Sequence, residues 1–87
     1  MDISGHYDFG SNTVVSNTDI EEKLKALVGS KGEVSVGSSN RGVPIVTIHE
    51  VDQIDELAVD QECQNVGKDI QATFIRAIDG GTIIIKG

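Results

Sequence analysis

"NTDIEEKLKALVGSKGEVSVGSSNRGVPIVTIHEV", residues 17–51, carries the clearest structural signals of the chain and decides its predicted fold class. Its first part places apolar residues on one side of a helix, at Ile20, Leu24, Leu27 and Val28. Thr18 and Glu21 have the spacing of a capping box at the helix start. Glu21 and Lys25 form a favourable i,i+4 pair, and Gly29 is placed to end the helix in a left-handed cap. This part is therefore predicted to be a helix.

The second part of the stretch has the pattern of two strands. "EVSVG", residues 33–37, alternates valine with polar residues, and "VPIVTIHEV", residues 43–51, is rich in β-branched residues. Pro44 cannot donate to a β-ladder, so it belongs at the start of its strand or on an edge. With "SSNRG", residues 38–42, as the loop between them, the two segments are predicted to form a β-hairpin.

The composition favours sheet over helix and a single small domain. Eleven Ile and ten Val stand against three Leu and four Ala, and β-branched side chains suit pleated strands better than helices. Eighty-seven residues are enough for one domain, residues 1–87. The Gly-, Ser- and Asn-rich residues 1–12 are expected to be partly mobile, although Tyr7 and Phe9, alternating with polar neighbours, indicate a short strand.

Residues 52–66 can be interpreted in two ways. As a helix, they would bury Ile54, Leu57 and Ala58, with Asp52 as the cap and Gly67 as the stop. As a strand, "LAVDQEC" would lie in the sheet. We favour the helix.

The last segment contains a turn signal between two apolar runs. "IQATFIRAI", residues 70–78, and "TIIIK", residues 82–86, flank "DGG", which favours a second hairpin. A helix with Ile70, Phe74 and Ile78 spaced by four is the alternative. In the hairpin, Phe74 and Ile78 share one face, while Ile75 and Ala77 share the other.

Both faces of this predicted hairpin are apolar, and strands buried on both faces need cover on both sides. Helices can cover one face, so a second sheet or a second copy of the chain has to cover the other. We therefore expect a homo-oligomer with Ile75 and Ile84 in its interface. The predicted fold class is α+β: a small, mostly antiparallel sheet with one or two helices packed on one face.

The negative charge is concentrated in one part of the chain. The formal net charge is −7, and residues 42–67 contain no Lys or Arg. The acids of that range are Glu50, Asp52, Asp55, Glu56, Asp60 and Glu62. Such a surface could attract a basic protein partner and accelerate the encounter. The competing interpretation is a solvated face that only keeps the protein soluble.

No catalytic or cofactor motif stands out. Cys63, His6 and His49 have the chemistry of a nucleophile and bases, but no local signature joins them, and they do not have zinc-ligand spacing. The acidic stretch does not match the EF-hand loop, and neither a Walker A nor a GxGxxG pattern occurs. We therefore expect no enzymatic activity and no cofactor, and the acidic balance argues against nucleic-acid binding.

The chain shows no sign of a membrane or secretory location. Its start has neither a basic nor an apolar signal region, its longest aliphatic run is three residues, and its one cysteine cannot form an internal disulfide. The expectation is a cytoplasmic protein without a membrane segment.

Arg41 lies in the predicted loop between the first two strands, where it could contact an anion or a carboxylate; the simpler interpretation is a flexible tip. The leading functional hypothesis is a non-enzymatic protein-binding or structural module that self-associates. One alternative is an acidic inhibitor that occupies a basic groove, such as a nucleic-acid-binding groove, of its target. Another is a small-molecule binder with a pocket between protomers.

Overall fold

The computed structural model describes residues 1–77, which form four strands and two helices in the order β-α-β-β-α-β. The elements are β1 (Ile3–Asp8), α1 (Asn17–Val28), β2 (Glu33–Ser38), β3 (Pro44–His49), α2 (Glu56–Asp69) and β4 (Thr73–Arg76). A short 3-10 turn, Gln53–Asp55, precedes α2.

The four strands form one antiparallel sheet in the order β2-β3-β1-β4. Helix α1 connects β1 to β2 across β3, and α2 connects β3 to β4 across β1. This interlocked pair of split βαβ units is the ferredoxin-like arrangement. The predicted α+β class, with an antiparallel sheet and helices on one face, is confirmed.

The core lies between the helices and one face of the sheet. Alternate strand residues point into it, among them Ile3, Tyr7, Val46, Ile48, Val34 and Phe74. The Tyr7 ring packs 5.2 Å from the Phe74 ring, and its hydroxyl donates a 2.7 Å hydrogen bond to the Cys63 carbonyl. Burial raises the pKa of Tyr7 above its usual value and the pKa of Cys63 to about 12. Both groups therefore stay protonated and act as core side chains.

Close packing at the centre of the sheet depends on Gly5. A Cβ at this position would lie 2.5 Å from the Ile75 carbonyl oxygen and 2.6 Å from the Phe74 ring. Only a residue without a Cβ lets the Phe74 ring lie across β1. The strand that sequence analysis located by Tyr7 and Phe9 is therefore a central strand, paired on both sides.

Helix α1 forms where predicted, but it is capped differently. Ile20, Leu24 and Val28 are buried, whereas Leu27 is 44% exposed. Two predictions about its ends were wrong. The N-cap is Ser16, whose Oγ accepts the Asp19 N–H at 3.2 Å, so Thr18 lies inside the helix. Gly29 ends the helix as predicted, but its φ of −60° is right-handed, so the predicted left-handed cap does not form.

The other predictions for this stretch are confirmed. The Glu21–Lys25 pair is present at 2.9 Å, and its hydrogen bond raises the pKa of Lys25. Strands β2 and β3 pair from Glu33↔His49 to Ser38↔Pro44, so Pro44 begins its strand as predicted.

The helix favoured for residues 52–66 is confirmed, but it spans Glu56–Asp69 and buries the opposite side from the one predicted. Its core-facing residues are Val59, Cys63, Val66 and Gly67. Gly67 is not a stop: a Cβ there would lie 2.8 Å from the Ala72 carbonyl and 3.3 Å from the Tyr7 ring, so the glycine lets α2 approach the sheet. Asp52 makes no side-chain cap hydrogen bond.

The strand predicted over residues 70–78 is present as the shorter β4, because Ile70 still belongs to the end of α2. Phe74 pairs with Tyr7 on the covered face, and Ile75 pairs with His6 on the open face. The remaining parts of the predicted hairpin, Ile78 and residues 79–87 with Ile84, lie outside the described residues.

Candidate functional site

The six acids of the charged stretch lie around the start of α2 but not on a single face. Glu50 follows β3 and has a left-handed φ of 60°. Asp52 precedes the 3-10 turn, Asp55 is its last residue, and Glu56 begins the helix.

Two of the six acids are set apart from the others. Glu56 accepts a 2.7 Å hydrogen bond from Arg76 of β4, in an ion pair whose side chains are about one third exposed, so its charge is largely balanced within the protein. Glu62 lies 200° around the helix from Asp60, because each residue advances by about 100°. It shares its side with Asp69, which forms a 2.7 Å ion pair with Lys23 of α1 and so raises the pKa of that lysine.

The most unusual feature of this region is a pair of exposed aliphatic side chains. Ile54 is 90% exposed and Leu57 is 80% exposed, although both are large and apolar. They are three residues apart across the 3-10 turn and the first turn of α2, a spacing that puts side chains on the same side. The apolar spacing of residues 52–66 predicted that both side chains would be buried, and that prediction was wrong.

Carboxylates that form no ion pair within residues 1–77 lie on both sides of the exposed pair along the chain. Asp52 and Asp55 flank Ile54, and Asp60 follows Leu57 by one turn of the helix. We refer to Asp52, Ile54, Asp55, Leu57 and Asp60 as the acidic–apolar patch. The patch combines two apolar side chains that are almost completely exposed to water with carboxylates on either side of them.

The other candidate residues lie elsewhere on the molecule. Arg41 is exposed in the β2–β3 loop, at the other end of β3 from the acidic–apolar patch. Ile75 is half-buried on the open face of the sheet, and Ile84 lies outside the described residues. The structure therefore does not bring Arg41 or Ile75 to the patch.

The groups with catalytic chemistry are also separate. Cys63 is buried under the sheet, and His49 contacts Asp2 at 3.1 Å near the other end of β3 from Arg41. Within residues 1–77, no group of three or more His, Cys, Asp or Glu side chains is arranged to hold a metal ion. In the same range, no helix is long and apolar enough to cross a bilayer.

Comparison of the chain with models of protein families, with curated proteins and with solved structures gives no match. The class defined here is therefore one of topology only: a small ferredoxin-like α+β protein with an exposed acidic–apolar patch.

Proposed function

We propose that this protein is a non-enzymatic binding module that docks onto another protein through the acidic–apolar patch. The partner has an apolar pocket for Ile54 and Leu57 and a rim of Lys or Arg. The observation that carries this proposal is the 90% and 80% exposure of these two side chains. Large apolar groups that the fold leaves in water at adjacent positions are typical of interaction surfaces.

The exposed pair supplies the affinity. Burying an Ile or Leu side chain contributes about 1.5–3 kcal/mol, and folding uses little of this at positions that stay 80–90% exposed. Docking both into a fitted pocket would therefore contribute about 3–5 kcal/mol before the cost of association. Contributions of this size at a few central residues dominate many protein interfaces.

The carboxylates of the patch favour a basic partner. Residues 42–67, which include the patch, contain no Lys or Arg, so the formal charges of this segment are all negative. Complementary charge mainly raises the association rate and rejects acidic surfaces, and salt screens this effect. We therefore expect a basic partner whose association slows with ionic strength while the apolar contact persists.

The alternative of an acidic inhibitor that occupies a nucleic-acid-binding groove, and so imitates a phosphate backbone, has less support than docking through the acidic–apolar patch. Such an imitation needs a row of free carboxylates, whereas Glu56 is paired with Arg76 and Glu62 lies on another side of α2. Self-association through Ile75 and Ile84, a pocket between protomers and a cytoplasmic location stay predictions. Light scattering of Ile75→Asp tests self-association, since a lower mass than wild type would support that interface.

The docking proposal is tested by capture from an extract of the cells that produce the protein. The test variant is Ile54→Gln/Leu57→Gln, which keeps helix-forming residues and removes the apolar pair. The matched control is Leu27→Gln, a partly exposed leucine on the other helix. We expect wild type and control to capture the same partner, and the double variant to bind that partner at least tenfold more weakly.

Two further measurements make the result specific. Urea midpoints should be nearly equal for wild type and the double variant, because exposed side chains contribute little to stability. Asp52→Asn/Asp55→Asn/Asp60→Asn should slow association and reduce its salt dependence, with a smaller change in dissociation. Equal capture by wild type and the Ile54/Leu57 variant would refute the proposal.

A further inference from the structure

A cavity of about 220 Å³ lies at the end of the sheet where β1 ends and β3 begins. Its lining includes His6, Asp8, Phe9, Val14, Arg41 and Pro44. The space corresponds to about seven water molecules, so it suits a small molecule rather than a peptide. It is separated from the acidic–apolar patch by the length of β3, about 20 Å for six residues.

Arg41 brings an available positive charge to this cavity. Lys23, Lys25 and Arg76 each lie within 3 Å of a carboxylate, whereas Arg41 has no acid partner within residues 1–77. Lys31 and Lys68 also have no acid partner within residues 1–77, but neither of them lines this cavity. The planar guanidinium can donate two parallel N–H groups to an incoming carboxylate.

The loop that carries Arg41 is held in shape by its own hydrogen bonds. The Ser39 Oγ accepts the backbone N–H groups of Arg41 at 3.2 Å and Val43 at 3.1 Å. Gly42 has a φ of +78°, which glycine adopts without strain, and its N–H donates to the Ser39 carbonyl at 2.9 Å. A loop ordered in advance loses little conformational entropy when it binds.

The opposite wall is ordered in the same way. The Asp8 Oδ1 accepts the Gly10 N–H at 2.9 Å, and outside the cavity the Asn12 side-chain amide donates to the Gln71 carbonyl at 2.9 Å, which holds the same loop. Because Asp8 adds a negative charge at this wall, a dianion would be repelled. A ligand with a single carboxylate turned toward Arg41 and an uncharged remainder fits this charge distribution.

His6 supplies a polar group without a partner. Its Nδ1 is buried and makes no hydrogen bond, and no other buried side-chain N or O atom of the described residues is left in this condition. Buried polar atoms are normally hydrogen-bonded, since leaving one unpaired is costly. His6 lines the cavity, so a ligand oxygen placed beside this nitrogen would give it the partner that it lacks.

We propose that this cavity binds a small monocarboxylate with a short apolar chain, about the size of butyrate. Arg41 holds the carboxylate, His6 donates or accepts a further hydrogen bond, and Phe9, Val14 and Pro44 contact the chain. The proposal does not depend on protein docking at the patch, because the two surfaces share no residue and lie at opposite ends of β3.

The test is a titration of the ¹⁵N-labelled protein with sodium butyrate, followed by the amide signals of Gly10, Gly42 and Val43. We expect saturable shifts confined to this end of the sheet, with a dissociation constant of about 1 mM or tighter. Arg41→Gln should weaken binding at least tenfold. Lys68→Gln is the control, since it removes one positive charge from an exposed site outside the cavity.

1-Butanol separates carboxylate recognition from a purely apolar contact, because it has the same chain without the charge. It should bind at least tenfold more weakly than butyrate. The proposal is overturned by an absence of saturable shifts up to about 20 mM butyrate, by equal binding to Arg41→Gln, or by equal binding of butanol. Well-dispersed spectra of Arg41→Gln would show that any loss of binding is not a loss of fold.

Discussion

Leu57 and Val59 are two residues apart on α2, but the structure places them in opposite environments. Leu57 is 80% exposed and Val59 is completely buried. The substitutions Leu57→Ala and Val59→Ala therefore test which side of the helix packs on the sheet. The expectation from apolar spacing alone, in which Leu57 faces the core, predicts the opposite order of effects.

The two costs follow from burial. Val59→Ala removes two methyl groups from a closed environment, at about 0.8 kcal/mol each, and leaves a small cavity. Alanine recovers about 0.5 kcal/mol through its higher helix propensity, so the net loss in free energy of unfolding is about 1–2.5 kcal/mol. Leu57→Ala gives up about one fifth of a side-chain burial worth about 2 kcal/mol, so its net effect is about 0–0.5 kcal/mol.

Urea unfolding followed by circular dichroism measures both effects. With a slope of about 1 kcal/mol per molar urea for a chain of this size, Val59→Ala should lower the midpoint by about 1–2.5 M. Leu57→Ala should lower it by less than about 0.5 M. If Leu57→Ala were the more damaging substitution, α2 would pack on its other side, and the exposed pair on which the docking proposal depends would not exist.

Three other measurements test details of the fold. Ser16→Ala should cost about 1 kcal/mol in chemical unfolding, because it removes the N-cap of α1, whereas Thr18→Ala should change stability by less than about 0.5 kcal/mol; the reverse order would favour the capping box. Glu50→Gly should raise the free energy of unfolding by about 0.5–1 kcal/mol, because glycine removes the backbone strain of a left-handed φ of 60°. A loss of stability in urea unfolding would contradict that backbone geometry. The raised pKa of Cys63 predicts an alkaline loss of stability. Below pH 9 both states keep the thiol proton, but above it the unfolded chain releases its proton while the folded chain holds it up to about pH 12. Stability should therefore fall by up to about 1.4 kcal/mol per pH unit. Urea unfolding at pH 8 and 10.5 should show a smaller fall in Cys63→Ala, and an equal fall in both proteins would exclude this cause.

Elements with complete local signals were predictable from the sequence. Helix α1 has one continuous apolar stripe, and the β2–β3 hairpin has alternating valines on either side of a polar loop. Their ends were less predictable. Several polar residues near residue 17 can cap a helix, and Ser16 is selected because its Oγ is placed to accept the Asp19 N–H.

The candidate site was predictable only in part. The excess of acid in residues 42–67 is visible in the sequence, but the ion pair that balances Glu56 joins residues twenty positions apart. The exposed aliphatic pair was missed. A usable signal existed in Val59, Cys63, Val66 and Ile70, which follow an i, i+4, i+7, i+11 spacing and form a longer stripe than Ile54, Leu57 and Ala58.

By itself, the sequence determined the secondary-structure class, the first helix, the hairpin and the concentration of negative charge, because each depends on neighbours within a few positions. Only the tertiary structure decided that β1 lies at the centre of the sheet, which side of α2 is buried, and that Arg41 and His6 line one cavity. The physical reason is that an apolar repeat of 3.6 residues predicts a helix with distinct sides, but it does not determine which side packs on the sheet. That choice depends on contacts between distant residues, such as the approach of Gly67 to Tyr7, sixty positions away.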